Sequence, residues 1–196
     1  MCGVVLKSIV RNNILDKLSA LSPYEKKRQS VLIQNRLNKI LKNESGPWAA
    51  YLNLSDEPEI QWDQVSSRID WLFPRLNNEN NENNENLEFR KSAVNFSRSA
   101  LGFSEPQDGI PVDIKNIRGF LIPGLAFDKH GYRLGRGKGY YDRALAGYSG
   151  FKFGVCFETS LCDELPHEEH DIRCDQIVTA NQIYTVNKSE GVRKWN

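Results

Sequence analysis

The stretch that decides the fold runs from Ile117 to Arg143: IRGFLI (117–122) leads without a break into PGLAFDKHGYRLGRGKGYYDR (123–143). A short run closing on three apolar residues, a glycine-rich segment, and a turn into Tyr140–Ala146 read as strand, loop and helix. Further strands are predicted at Trp48–Leu54 (WAAYLNL), Ile69–Phe73 ending at Pro74, Phe151–Phe157 (FKFGVCF) and Gln176–Thr179 (QIVT). Strands alternating with helices predict an α/β fold: a three-layer domain with a mainly parallel, Rossmann-like sheet flanked by helices. Its 196 residues fit one domain, 1–196. In such sheets ligands sit beyond the carboxyl ends of the strands, so the segments after Leu54, Ile122, Phe157 and Thr179 should converge on the site.

Two helices precede the sheet. Leu6, Val10, Ile14 and Leu18 recur every four residues, with Ile9 and Leu21 completing an apolar stripe that predicts a helix packed on a core. Ser22, Pro23 and Glu25 form an S-x-x-E capping signal with proline at the first helical position. It opens a second helix whose Ile33, Leu37, Ile40 and Leu41 face inward, before Gly46 and Pro47 stop it. Residues 77–86 (NNENNENNEN) hold only Asn and Glu, have nothing to bury, and read as a mobile surface loop.

Composition narrows the function. Lys and Arg number 26 against 25 Asp and Glu, so the net charge of +1 lacks the excess that non-specific nucleic-acid or membrane binding requires. Any polyanion must be caught locally. No run approaches the roughly 18 apolar residues of a membrane span, and the start lacks a secretory signal. Cys2, Cys156, Cys162 and Cys174 show no framework spacing, which points to reduced thiols and a cytoplasmic protein.

The chemistry concentrates in the glycine segment. Arg133, Arg136, Lys138 and Arg143 place four cations in eleven residues, interleaved with Gly131, Gly135, Gly137 and Gly139. Glycines let backbone approach phosphate oxygens, cations neutralise them, and the following helix start favours anions. A Walker A motif would need glycine at Tyr132, and GxGxxG would need it at Tyr140. Asp142, directly after the loop, suits either a Mg²⁺ ligand alongside phosphate oxygens or a helix-start carboxylate favoured by the dipole. Asp171 and Asp175 both precede the last predicted strand, and spacing alone does not choose between them. Tyr140 and Tyr141 suit stacking on a flat heterocycle or ordinary packing. Cys162, His167, His170 and Cys174 match no standard zinc spacing.

PGLAFDKHGYRLGRGKGYYDR resembles the signature of the 5-formyltetrahydrofolate cyclo-ligases, also called methenyltetrahydrofolate synthetases. KSIVR (7–11), LSDEPEI (54–60), GFSEP (102–106), LPHEEHD (165–171) and CDQIVT (174–179) resemble further family landmarks in the expected order. The resemblance implies an enzyme that uses ATP and Mg²⁺ to convert 5-formyltetrahydrofolate into 5,10-methenyltetrahydrofolate, releasing ADP and phosphate. It implies ATP contacts at Lys7, Arg11, Arg133, Leu134, Gly135, Arg136, Gly137, Lys138, Gly139, Tyr140 and Tyr141, with Arg136, Lys138 and Tyr140 catalytic. It implies folate contacts at Leu54, Glu59 and Arg136–Tyr140, and Mg²⁺ ligands at Asp142 and Asp175. Two positions depart from the family pattern: Arg118–Gly119 replaces an acidic residue before the strand, and Trp62 stands where threonine is common. The enzyme is expected to act as a monomer, without nucleic acid or membrane. The competing readings are a nucleotide-binding module that has lost the chemistry, and a nucleic-acid binder using the basic loop.

Overall fold

The computed structural model describes residues 2–77, 86–91, 95–98 and 104–186. Of the tract predicted as a loop, residues 78–85 lie outside the described residues, as do residues 102 and 103 of GFSEP. Helices α1 (Cys2–Ser19) and α2 (Pro23–Ile40) come first. Strands β1 (Gly46–Ala49), β2 (Ile69–Asn77), β3 (Asn86–Arg90), β4 (Phe96–Arg98), β5 (Ser104–Pro106) and β6 (Gly119–Pro123) follow. Then come β7 (Ala126–Asp128), β8 (Arg133–Leu134), helix α3 (Tyr140–Ala144), β9 (Phe151–Val155), β10 (Leu161–Cys162), β11 (Gln176–Val178) and β12 (Ile183–Thr185).

The main sheet has seven strands in the order β12-β11-β9-β6-β1-β2-β3. The five inner strands are parallel, and antiparallel β3 and β12 close the two edges. From β1 the chain builds β2 to one side and β6, β9 and β11 to the other, which puts the topological switch between β1 and β6.

All five predicted strands form, with altered ends. β1 stops at Ala49, not Leu54: the Ala50 N–H still reaches Leu72 O (2.8 Å), and the chain then leaves the sheet. β2 runs on through Pro74 to Asn77, because its pairing with β1 ends at Leu72 and a proline beyond that point costs no bond to that neighbour.

The α2 cap forms as predicted, with Ser22 Oγ accepting the Glu25 N–H at 3.1 Å. Ile33, Leu37 and Leu41 are fully buried against Trp48, Leu121, Phe153 and Val155 on one sheet face. The other face, with Phe120, Ile122 and Ile177, packs under Leu145 and the tyrosines of α3. α3 has only five residues, so this second layer is mostly loop, not helix.

α1 divides in two. Ile14 and Leu18 are buried against Leu125, Ala126, Leu134 and Phe157, whereas Leu6 and Ile9 are 48% and 54% exposed. The predicted stripe thus outruns the surface it packs on. Of the Arg118–Gly119 departure, the glycine has a steric reason: a Cβ at Gly119 would meet the Trp48 ring at 2.3 Å. Arg118, itself exposed, pairs with the buried carboxylate of Glu44.

Candidate active site

The switch point opens into a cleft of about 1210 Å³. One wall follows β1 (Tyr51, Leu52, Leu54, Glu57), the floor follows β6 (Pro123 to Leu125), and the opposite wall is the glycine loop with α3. The N-terminal half of α1 adds Lys7 and Arg11. Of the four segments expected to converge, the one after β9 lines the cleft at Glu168 to Arg173, whereas the turns directly after β9 and β11 do not. α2 covers them: Gln29 Oε1 accepts the Glu158 N–H (2.9 Å), and the Arg36 guanidinium donates to Asn181 O.

The loop wall starts from a tight hairpin. Asp128, fully buried, accepts N–H bonds from His130 and Tyr132 through Oδ1 and from Leu165 through Oδ2, each at 2.9 Å. These bonds fold β8 back along β7 and aim Arg133 at the cleft. Gly137 (φ 99°) and Gly139 (φ 64°) then carry the chain through left-handed geometry that other residues seldom adopt. Arg11 Nε donates to Gly135 O at 2.8 Å, tying the loop to α1. With α3 this short, the dipole expected to attract anions is small.

All four loop cations line the cleft. Arg133 is only 6% exposed; it pairs with Asp142 (3.1 Å), donates to Pro123 O (3.3 Å) and lies over the Tyr141 ring. Arg143 lies over the Tyr140 ring and donates to Lys138 O at 2.7 Å. The flat faces suggested for stacking therefore carry the protein's own guanidinium groups. Lys138 is exposed. Arg136 reaches across to Asp56 and stands 3.8 Å from Glu57.

The facing wall is held by bonds the sequence pattern does not announce. Tyr51 Oη donates to Pro58 O (2.9 Å), Trp62 Nε1 donates to Tyr51 O (2.7 Å), and Leu54 N–H donates to Glu57 Oε2 (3.0 Å). They turn Glu57 into the cleft, where it is 8% exposed. Burial raises its carboxyl to about 6, against the hydrogen bond from Leu54 and the nearby charge of Arg136, which lower it. The Tyr141 hydroxyl, enclosed near Glu57, is pushed well above its ordinary range by the same loss of water.

At the end nearest α1, Lys7 pairs with Asp171 (2.6 Å) and Glu168 (3.2 Å). Burial opposes its charge, but these two carboxylates outweigh that and raise it. His170 joins them, so that Glu168, His170 and Asp171 bring ligand atoms within 4.8 Å of one another.

A family model for the 5-formyltetrahydrofolate cyclo-ligases matches residues 4–180. The chain belongs to that family. It is 27% identical over 186 residues to the 5-formyltetrahydrofolate cyclo-ligase of Mus musculus, covering 86% of this chain and 91% of the mouse protein. The Escherichia coli (strain K12) cyclo-ligase is 37% identical over 81 residues, 40% of this chain and 43% of that one. Among solved structures, the 5,10-methenyltetrahydrofolate synthetase of Aquifex aeolicus superposes with a TM-score of 0.74 at 29% identity, covering 96% of this chain and 97% of that one. That of Mycoplasma pneumoniae gives 0.70 at 25% identity, covering 89% and 99%.

Against this cyclo-ligase frame, the residues expected at the nucleotide, Lys7, Arg11 and Arg133 to Tyr141, all line the cleft, as do Leu54 and Asp142. Glu59 does not. Its side chain is 51% exposed beside Lys27 (3.9 Å), on the outside of the segment whose inner face carries Glu57. Asp175 is not among the lining residues either. It sits at the N-terminal foot of β11, where Oδ2 accepts the Lys152 N–H at 2.8 Å. Glu57, Leu52 and Tyr51, which the sequence pattern does not single out, line the cleft. Trp62, noted as a departure, is the residue that anchors Tyr51.

Proposed function

We propose that this protein is an ATP-dependent 5-formyltetrahydrofolate cyclo-ligase, forming 5,10-methenyltetrahydrofolate, ADP and phosphate, and that the cleft at the β1/β6 switch is its active site. The supporting observation is one cleft with cations on a glycine loop along one wall and a buried carboxylate on the other.

A formamide oxygen is a poor leaving group, so ring closure needs that oxygen activated first. The N5-formyl oxygen attacks the γ-phosphorus of ATP, ADP departs, and an iminium phosphate results. N10 then attacks the same carbon, the C–O bond breaks, phosphate leaves, and N10 gives up its proton. Phosphoryl transfer asks of the protein chiefly in-line positioning and neutralised charge. Gly135 to Gly139 bring backbone N–H groups to the phosphates, and Arg136 and Lys138 lie closest to the transferred group. Lys7 and Arg11 hold the nucleotide from α1, with the α3 tyrosines beside it.

On the facing wall Glu57, not Glu59, accepts the pterin N–H groups, with Leu52 and Leu54 against its ring. A buried acceptor of this kind rejects analogues lacking those donors, because it would be left unpaired. Mg²⁺ would be held by Asp142, a carboxylate bordering the loop, and would supply charge neutralisation on the phosphate oxygens. Asp142 already serves Arg133 and the Ile172 N–H (3.3 Å), so a metal would share it. Asp175 stands away from the wall and orients Lys152. Among the described residues no helix is long and apolar enough to cross a membrane, and we take the working form to be a cytoplasmic monomer.

The test is direct. Purified protein with 5-formyltetrahydrofolate and MgATP should produce the methenyltetrahydrofolate absorbance only when ATP is present. No ATP-dependent product, with both substrates shown to bind, would overturn the reading.

A further inference from the structure

Asp56 has no role in anything derived so far, yet it is the residue that Arg136 grips across the cleft. The Asp56 side chain is 15% exposed and that of Arg136 41%, so the pair is enclosed at its carboxylate end and open to water at its guanidinium end. Glu57, the next residue, faces the same guanidinium but stands off at 3.8 Å, beyond hydrogen-bond reach. One Glu57 oxygen, Oε2, takes the Leu54 N–H. The other is the one turned toward Arg136.

We propose that Asp56 is a positioning residue that occupies Arg136 and so keeps the second oxygen of Glu57 available to the folate. The inference rests on the cyclo-ligase reading above. A guanidinium carries five donors and binds a carboxylate best through two of them. Freed from Asp56, Arg136 would close the gap to the nearest carboxylate, which is Glu57, and compete with the pterin for its acceptor. The charged and titratable groups near Glu57 are Arg136, Asp56, Arg133, Tyr51 and Tyr141. Of these, Asp56 is the one whose removal changes which partner Arg136 has.

The experiment compares wild type, D56N and D56E by calorimetry with 5-formyltetrahydrofolate and, separately, MgATP, and by steady-state kinetics. Wild-type turnover settles the underlying reading first, independently of either variant. D56N should weaken folate affinity and raise the folate KM about tenfold, the scale of one charge-assisted hydrogen bond. MgATP affinity should stay within about twofold, and D56E, which restores the carboxylate, should recover most of the folate affinity. The acid limb of kcat/KM for folate should move to lower pH in D56N, since the like charge of Asp56 raises Glu57. A merely structural role would weaken folate and MgATP together and would not be recovered by D56E. Unchanged folate affinity in D56N would overturn the proposal, as would equal losses toward folate and MgATP. If D56N does not fold, D56E decides: folate affinity near wild type supports the proposal, and a loss beyond tenfold overturns it.

Discussion

Lys138 and Glu57 face one cleft from walls built on opposite principles. Lys138 is exposed on a loop shaped by backbone freedom, with Gly137 and Gly139 in left-handed geometry and few side chains to brace them. Glu57 is buried in a segment shaped by side chains: the Tyr51 hydroxyl, the Trp62 indole and its own carboxylate each close a turn. The first wall gathers charge where water can still reach it, which suits a highly charged nucleotide that arrives hydrated. The second holds one charge away from water, where an unpaired acceptor is costly and discrimination is correspondingly sharp. A change to an exposed loop side chain should therefore alter rate and leave stability alone, whereas a change on the facing wall should alter both.

The largest expected effect is on the loop. Lys138→Ala should lower kcat by roughly a thousandfold, as loss of a charge-stabilising group does, and leave the thermal midpoint within about 2 °C because the side chain is exposed. Methenyltetrahydrofolate formation and calorimetry measure the two; a large drop in midpoint would erase the contrast between the walls.

Next is Glu57→Gln, which should raise the folate KM about a hundredfold and change MgATP affinity little. Here stability follows a defined pH course. The folded carboxyl titrates at about 6 against an ordinary 4.5, so its contribution is complete below pH 4.5 and is lost as pH rises through 6. Between pH 4 and 7, the stability of Glu57→Gln should therefore gain on wild type by about 2 kcal/mol. Denaturant titrations at the two pH values check it. The same titration makes kcat/KM for folate fall below about pH 6, where free Glu57 takes up a proton.

Gly137→Ala should cost about 1–2 kcal/mol of strain at φ 99°. It should also weaken MgATP binding by about tenfold, read by calorimetry, with folate binding unchanged. The smallest effect belongs to Trp62→Phe, which keeps a ring but removes the donor to Tyr51 O. A loss of about 1 kcal/mol and a several-fold rise in the folate KM are expected, and an equal rise in the ATP KM would show that the two walls are not separable.

The same contrast explains what was legible in the sequence. Glycines and cations declare their use locally, so every loop residue expected at the nucleotide lies on the cleft. The strands were legible from their apolar runs, but their ends depend on neighbours: β1 quits at Ala49 and β2 passes Pro74 because of where their mutual pairing stops. Asp56, Glu57 and Glu59 offered three acids with no periodic signal to say which turns inward. That is set by the Leu54 to Glu57 hydrogen bond and by Trp62, twelve residues of irregular chain closed by tertiary contacts. Leu6 and Ile9 were misread for a related reason, since a stripe on a helix reports what it would bury, not how far the partner surface extends.

That overhang has a thermodynamic meaning. The last turns of α1 are anchored by Ile14 and Leu18, while its earlier turns reach the body through Lys7 and Arg11, both lining the cleft. Fraying of those turns and vacancy of the cleft thus draw on one equilibrium, and amide-exchange protection near the amino terminus becomes a gauge of occupancy.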